Sequence, residues 1–251
     1  MGHSNCAKFL EDSVGELLLH PATLDHHAQS ILLQEVETVF TEADNEMLIK
    51  PPTKKEIKET LDDSNLHAAP GTDGLTSFLY KECWPILENY LTEVVQEVFK
   101  GSQPTKSQRT SLMVFGCKPK KPLSIKPEDK RKISLLNSDF KLITGIESKR
   151  FKKVATHTLS SKQLVAGDNR RIHHGINSAR DAIMKAGLSK SGCGIVDTDY
   201  KAAFDFLVMT WVFAVLKAKG LHPDVIKRLQ NLYHDNFMVV VVNNLGQSSE
   251  S

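Results

Sequence analysis

"GIVDTDYKAAFD", residues 194–205, sets three aspartates within nine positions of an otherwise apolar run. Asp197, Asp199 and Asp205 alternate with Ile195, Val196, Tyr200 and Phe204. Carboxylates that leave water need a cation to meet them. Read as a strand, the run points Asp197, Asp199 and Lys201 one way and Val196, Thr198 and Tyr200 the other. Its apolar start suits burial in a sheet. An aspartate leaving the end of such a strand, just ahead of a helix, can present its carboxylate to a divalent cation. Mg2+ takes one or two carboxylates plus substrate phosphates, and two such ions stabilise the attacking and leaving oxygens of nucleotidyl transfer. Asp199 ends the strand and is the candidate ligand. Asp205 reads first as the N-cap of the following helix rather than as a ligand, and Asp197 suits an arginine partner or a sheet-edge residue. One strand does not complete a two-metal site, which needs a further carboxylate from elsewhere in the chain.

The surrounding chain has the size and composition of a globular protein. Its 251 residues, 40% hydrophobic and 25% charged, can bury a sizeable core. No apolar run approaches the roughly 18 residues of a membrane span. The start, "MGHSNCAKFLEDSVGELLLHPATL", lacks a basic stretch followed by an apolar core. Its Gly2 is followed by Cys6 where a myristoylation signal has Ser or Thr. Cys6, Cys83, Cys117 and Cys193 form no C-x-x-C pair, so a reducing intracellular compartment, cytoplasm or nucleus, is expected. There is no G-x-x-x-x-G-K-[ST] phosphate loop and no G-x-S-x-G elbow.

Charge is unevenly distributed. Residues 1–99 carry 6 Lys/Arg against 18 Asp/Glu, residues 100–153 carry 15 against 4, and residues 154–251 carry 11 against 8. The basic middle is either the footprint of a polyanion-binding surface or a partner for the acidic first third.

Apolar spacing predicts a helix over 29–40 and a short one N-capped by Thr53, with Glu56 completing a capping box. "HAAPGTDGL" (67–75) is a structured turn. A helix follows over 76–99, with Gly101 placed to end it. "SLMVFGCKPKK" and "RKISLLN" read as two strands around a Pro- and Lys-rich loop. Helices follow in "DFKLITGIESKRFKKVATHTL" and "GINSARDAIMKAGL". After the acidic strand come "FLVMTWVFAVLKAKG", capped by Asp205 and stopped by Gly220, and then "DVIKRLQNLYHD". The strand "FMVVVVNNLG" runs into a turn. Trp84 and Trp211 fall at apolar helical positions. The adjacent His26 and His27, and His173 and His174, diverge on regular elements and suit surface positions.

D-Y-K-A-A-F-D resembles the first palm motif of the reverse transcriptases of non-LTR (LINE-type) retrotransposons. Asp199, Ala203, Phe204 and Asp205 fall on it, while Ala202 stands where that family has lysine and Lys201 comes one place early. Three further stretches are similar to family elements, in the family's order. Pro70, Gly71, Asp73 and Gly74 match a P-G-x-D-G element. Arg131, Ile133, Ser134, Leu135, Leu136, Asn137 and Lys141 match R-P-I-S-L-L-N-x-x-x-K, with Lys132 in place of proline. Gln163, Gly167, Arg170, Arg180 and Asp181 match loosely a stretch whose G-F pair is absent here. The resemblance covers roughly residues 30–245.

What the resemblance implies is an α+β fold of right-hand polymerase type, helix-rich with a small, incomplete antiparallel palm sheet. Residues 1–50 would form an N-terminal helical extension, 51–190 fingers with a basic hairpin, and 191–251 part of a palm. Asp199 would be the catalytic carboxylate and ligand of Mg2+ (or Mn2+), with the Tyr200 carbonyl facing the metal and Phe204 under the incoming sugar. Lys118 and Arg131 would neutralise a deoxynucleoside triphosphate. Lys120, Lys121, Lys126, Lys130, Lys132 and Arg170 would meet the RNA template and DNA primer. All of these but Arg170 crowd into the short stretch 118–132, which suits phosphate contacts without sequence specificity.

The family's Q-G-x-P-x-S and Y-x-D-D motifs do not occur in residues 1–251. The resemblance therefore implies a fragment unable to polymerise alone. Its strands "GIVDTDY" and "FMVVVVN" would have unpaired edges that invite self-association. The alternatives are a non-catalytic nucleic-acid-binding protein derived from a retroelement, or a decayed element.

Overall fold

The computed structural model describes residues 25–117, 129–160, 162–164, 170–189, 196, 198–199, 207–242 and 245–249. The described residues begin with α1 (His26–Gln34), whose first turn is capped by the Asp25 carboxylate, and α2 (Glu42–Ile49), which starts on a reciprocal Thr41–Asp44 capping box. The single helix expected over 29–40 is thus shorter and earlier, because Asp25 and Thr41 each supply a strong start signal. In α3 (Lys54–Asp62) Thr53 Oγ1 does accept from the Glu56 N–H at 3.2 Å. Both Glu56 carboxylate oxygens accept from Arg150 at 2.7 Å.

The helix expected over 76–99 is two, α4 (Ser77–Glu82) and α5 (Trp84–Phe99), divided at Cys83. Pro85, in the first turn of α5, cannot donate to the preceding turn and so belongs at a helix start. Strands β1 (Thr110–Cys117) and β2 (Lys130–Leu135) pair antiparallel, as expected, with Phe115 opposite Lys132 and Gly116 opposite Arg131. Next come α6 (Ser138–Thr158), α7 (Ile172–Ser189), α8 (Met209–Ala218) and α9 (Pro223–Tyr233). Strands β3 (Phe237–Val242) and β4 (Leu245–Ser249) close the described chain. Asp205 lies outside the described residues, and Val208 occupies the N-cap position of α8.

The fold is α+β and rich in helix, with one sheet in the order β2-β1-β3-β4. That sheet is mixed rather than antiparallel, because β3 runs parallel to β1, with Thr110 opposite Phe237 and Met113 opposite Val240. Strand β3, expected to have an open edge, is paired on both sides, antiparallel to β4 on the other. Among the described strands, the edges of the sheet are β2 and β4.

Helix α6 runs through both apolar clusters. Its Phe140, Ile143 and Ile146 pack with Ile57 and Leu61 of α3, with Trp84, Leu91, Val95 and Phe99 of α5, and with Leu232 of α9. About two turns beyond Ile146, Val154 packs with Phe40, Leu48, Leu221, Val225 and Ile226. Leu229 of α9 touches both clusters. Between them lies a buried polar knot. Arg228 of α9 donates to Glu147 of α6, to the Leu48 carbonyl at 2.9 Å and to the Phe99 carbonyl at 3.4 Å. Arg150, one turn beyond Glu147, pairs with Glu56 and also donates to the Leu48 carbonyl. Both guanidiniums lie against the Phe99 ring, Arg228 at 4.4 Å and Arg150 at 5.1 Å from its centre. Among the described residues, no helix is long and apolar enough to cross a membrane.

Candidate nucleic-acid interface

Two of the matched motifs form one structural unit. Asn137 stands between β2 and α6 and is almost wholly buried, at 1% exposure. Its side chain does not cap α6 but reaches sideways. Its Oδ1 accepts from Thr72 Oγ1 at 3.3 Å and from the Asp73 N–H at 3.4 Å, while its Nδ2 donates to the Ser107 carbonyl at 2.9 Å. Next to it, Ser138 Oγ donates to the Leu75 carbonyl at 2.7 Å, and Lys141 Nζ to the Ala69 carbonyl at 2.9 Å. The 69–75 turn is therefore fastened to the start of α6 by Asn137, Ser138 and Lys141 together.

The turn's glycines answer to this docking. A Cβ on Gly71 would stand 2.1 Å from Asn137 Oδ1 and 2.5 Å from the Asn137 nitrogen, so no side chain fits. Gly74 has φ +72°, a conformation that side chains disfavour.

The segment before β1 is tied to the same place. Gln108 Nε2 donates to Asp139 Oδ2 at 2.9 Å, and its Oε1 accepts from the Thr105 N–H at 2.9 Å. Burial pushes the Asp139 carboxyl above the usual aspartate range, opposed by its bond from Gln108. Burial likewise lowers the Lys141 ammonium, opposed by Asp73. Tyr80 is pushed up to about 12, by burial first and then by the charges of Asp139 and Asp73. Arg109, at the foot of β1, donates to the Asp235 carbonyl at 2.6 Å and the Pro104 carbonyl at 2.9 Å, which fixes the entry to β3. Both ends of the β1–β2 hairpin thus stand on a network of hydrogen bonds.

The hairpin brings together Lys130, Arg131 and Lys132. Arg131 is exposed, and the other two are half-buried. Strand alternation puts Arg131 on the face of Ile133, and Lys130 and Lys132 on the other. Lys130 Nζ lies 3.3 Å from the sulfur of Cys117, its cross-strand neighbour. Lys118, Lys120, Lys121 and Lys126 lie outside the described residues, as do Tyr200 and Phe204.

Arg170 is not part of this group. Its guanidinium donates to the carbonyls of Thr156, Leu159, Ser160 and Gln163, closing the C-terminal end of α6. The 21 residues of α6 put that end about 30 Å from the β2 junction. Part of the basic middle does fold back onto acidic helices. Lys149 meets Asp63 at 2.6 Å, and Arg150 meets Glu56.

Asp199 is exposed and lies outside regular secondary structure, as do its described neighbours Val196 and Thr198. The rest of the expected strand is outside the described residues. A pair of Mg2+ ions needs more than one carboxylate. Among the described residues, no group of three or more His, Cys, Asp or Glu could hold a metal, so these residues alone do not fit a two-metal centre.

Sequence reasoning picked out Asn137 and Lys141 but not Ser107, Gln108 or Ser138. The last three are small or neutral residues whose local patterns carry no sign of a long-range partner.

No family model matches the chain. It is 26% identical over 206 residues to a protein of Xenopus laevis described as "Transposon TX1 uncharacterized 149 kDa protein", an alignment covering 82% of this chain. The chain spans about a sixth of that protein's length. With the ordered motifs above, this likeness to a transposon protein supports a retroelement origin for the chain.

Proposed function

We propose that the chain is the fingers and first part of the palm of a LINE-type reverse transcriptase. In this reading its basic hairpin grips an RNA template, a DNA primer and the triphosphate of an incoming deoxynucleotide. The observation that carries it is the joining of the P-G-x-D-G turn to the R-x-I-S-L-L-N-x-x-x-K junction by Asn137, Ser138 and Lys141. Two motifs well separated in sequence, each matched independently to that family, serve one purpose: to hold the hairpin's base rigid. Cations on a rigid base supply affinity for a phosphate backbone without reading its sequence. Asp199 is the residue the resemblance gives to Mg2+ or Mn2+, and the ion would supply charge stabilisation at the transferred phosphate.

A second reading has its own observation. β2 is a sheet edge, and cationic side chains on an edge prevent strand-to-strand association. One experiment separates the two. Binding of an RNA–DNA hybrid is measured across a salt series for the chain and for Lys130→Gln with Arg131→Gln. The grip reading expects a steep fall of affinity with salt, and a slope about 0.7–0.9 shallower for each phosphate contact removed. Unchanged slope with new aggregation in the variant would leave only the edge role. Asp199→Ala should leave binding intact while abolishing any Mg2+-dependent primer extension. Extension that survives this change would overturn the catalytic assignment.

A further inference from the structure

Helix α7, "IHHGINSARDAIMKAGLS", has 18 residues and buries none of them. Its apolar side chains are nonetheless ordered. On a helical wheel Ile172, Ile176, Ala179, Ile183 and Ala186 fall within about 80° of one another. Arg180 and His173 border that stripe, and Asp181, His174 and Lys185 lie opposite it. Leu164 closes one margin at Gly175, where its Cδ1 stands 2.6 Å from the place a Cβ would take. The isoleucines stay open, with Ile172, Ile176 and Ile183 at 61%, 58% and 59% exposure. An amphipathic helix of this length is marginal alone and draws its stability from covering its apolar face.

We infer that the stripe is covered by the same stripe of a second copy of this chain, running antiparallel about a two-fold axis level with Asp181. The spacing names the occupant. Positions 172, 176, 179, 183 and 186 advance by alternating steps of four and three, the period of paired helices. Antiparallel, Ile176 meets Ala186 of the second copy and Ile183 meets its Ala179, and the two-fold repeats both contacts in reverse. Each layer then sets a large side chain against a small one, which fills the seam without voids. A parallel pair in register would set Ile on Ile and Ala on Ala, with a gap at every alanine. One flank of the seam carries only Gly175, Ala182 and Ser189, which let the backbones approach closely. On the other flank the two Arg180 side chains stand near each other across the axis.

The test is sedimentation equilibrium of the full chain, without nucleic acid, from about 1 to 500 µM. A reversible dimer is expected, because one short helix per copy makes a small interface. Ile176→Asp with Ile183→Asp should weaken it about tenfold or more. Both side chains are exposed, so circular dichroism should show the fold intact. Met184→Asp with Leu188→Asp is the control, because these residues are 57% and 86% exposed but lie off the stripe. That variant should dimerise like the unmodified chain. Arg180→Glu, mixed with the unmodified chain, should form the heterodimer in preference to either homodimer, since one opposite-charge pair replaces two like-charge pairs. A chain that stays monomeric throughout would overturn the proposal. So would a dimer that survives the Ile→Asp changes, an equal loss in both double variants, or no preference for the Arg180→Glu heterodimer.

Discussion

Arg228 of α9 donates to the Glu147 carboxylate of α6 at a place where the two side chains are only 1% and 6% exposed. The pair joins the chain's two apolar clusters, and the Arg228 guanidinium directs its other donors to the Leu48 and Phe99 carbonyls. Removing one member leaves a buried charge alone, which costs roughly 3–5 kcal/mol. Glu147→Leu and Arg228→Met, each alone, should therefore destabilise strongly in urea unfolding. The double variant should recover much of that loss, because no unpaired charge remains. Additive losses would show that the pair is not energetically coupled.

Gly71 has a neighbour too close for any Cβ. Gly71→Ala must push the 69–75 turn off Asn137 or move the start of α6, at an overpacking cost of about 1–3 kcal/mol. Asn137→Ala should cost a similar amount, by leaving the Ser107 carbonyl and the Asp73 N–H without their partner. Since both changes loosen the base of the basic hairpin, both should weaken hybrid binding more than they alter its salt slope. Chemical denaturation and binding isotherms on the same samples decide this.

The Glu56 carboxyl is held below its ordinary value of 4.5, chiefly by its hydrogen bond from Arg150 and against the effect of burial. A depressed carboxylate contributes stability that is full above the unfolded value and is lost as pH falls through the folded one. Glu56→Gln should thus be clearly destabilised at pH 7, and the gap to the unmodified chain should close below about pH 4. Asp139, raised by burial, acts in the opposite direction and will blunt the acid limb. Thermal unfolding across pH 3–7 provides the curve, and a pH-independent gap would refute the account.

Arg170 holds four carbonyls at the end of α6, so its role is to close a helix. Arg170→Gln should loosen residues 156–163, seen as faster amide exchange there, and cost about 1–3 kcal/mol locally. The salt dependence of nucleic-acid binding should not change. A shallower slope would instead return Arg170 to the phosphate-binding set.

Most of the elements were legible in the sequence because apolar periodicity and capping residues act locally, but α2 and β4, both short, were not read. Thr53, Gly101 and Gly220 marked their helix ends, and the alternation of "SLMVFG" marked β1. Pro85 also carried a readable signal, the break that splits α4 from α5. What the sequence did not reveal is long-range. Glu147, Arg150 and Arg228 look like ordinary charged positions on helix surfaces, where such residues usually lie, and only the assembled helices put them inside. The parallel pairing of β1 with β3 was equally hidden, since no local pattern names a strand's partner. At the site, the family-like motifs could be read singly. Their union through Asn137 could not, because it joins a turn to a strand end with two helices and a strand between them.

The β1–β3 pairing also governs the order in which the molecule can be made. Thr110 must find Phe237 across all the chain that forms β2 and helices α6 to α9, and contacts so distant in sequence form slowly. During synthesis from the N-terminus, β1 has its hairpin partner β2 early but waits on its other side until β3 leaves the ribosome. Helices α3 to α6 can gather around the first apolar cluster in that interval, yet Arg228, which ties them to α9, arrives almost as late as β3. The nascent chain therefore carries an open strand edge and a Glu147 without its arginine until residues 228–242 have emerged, and its dependence on chaperones should be set by this interval.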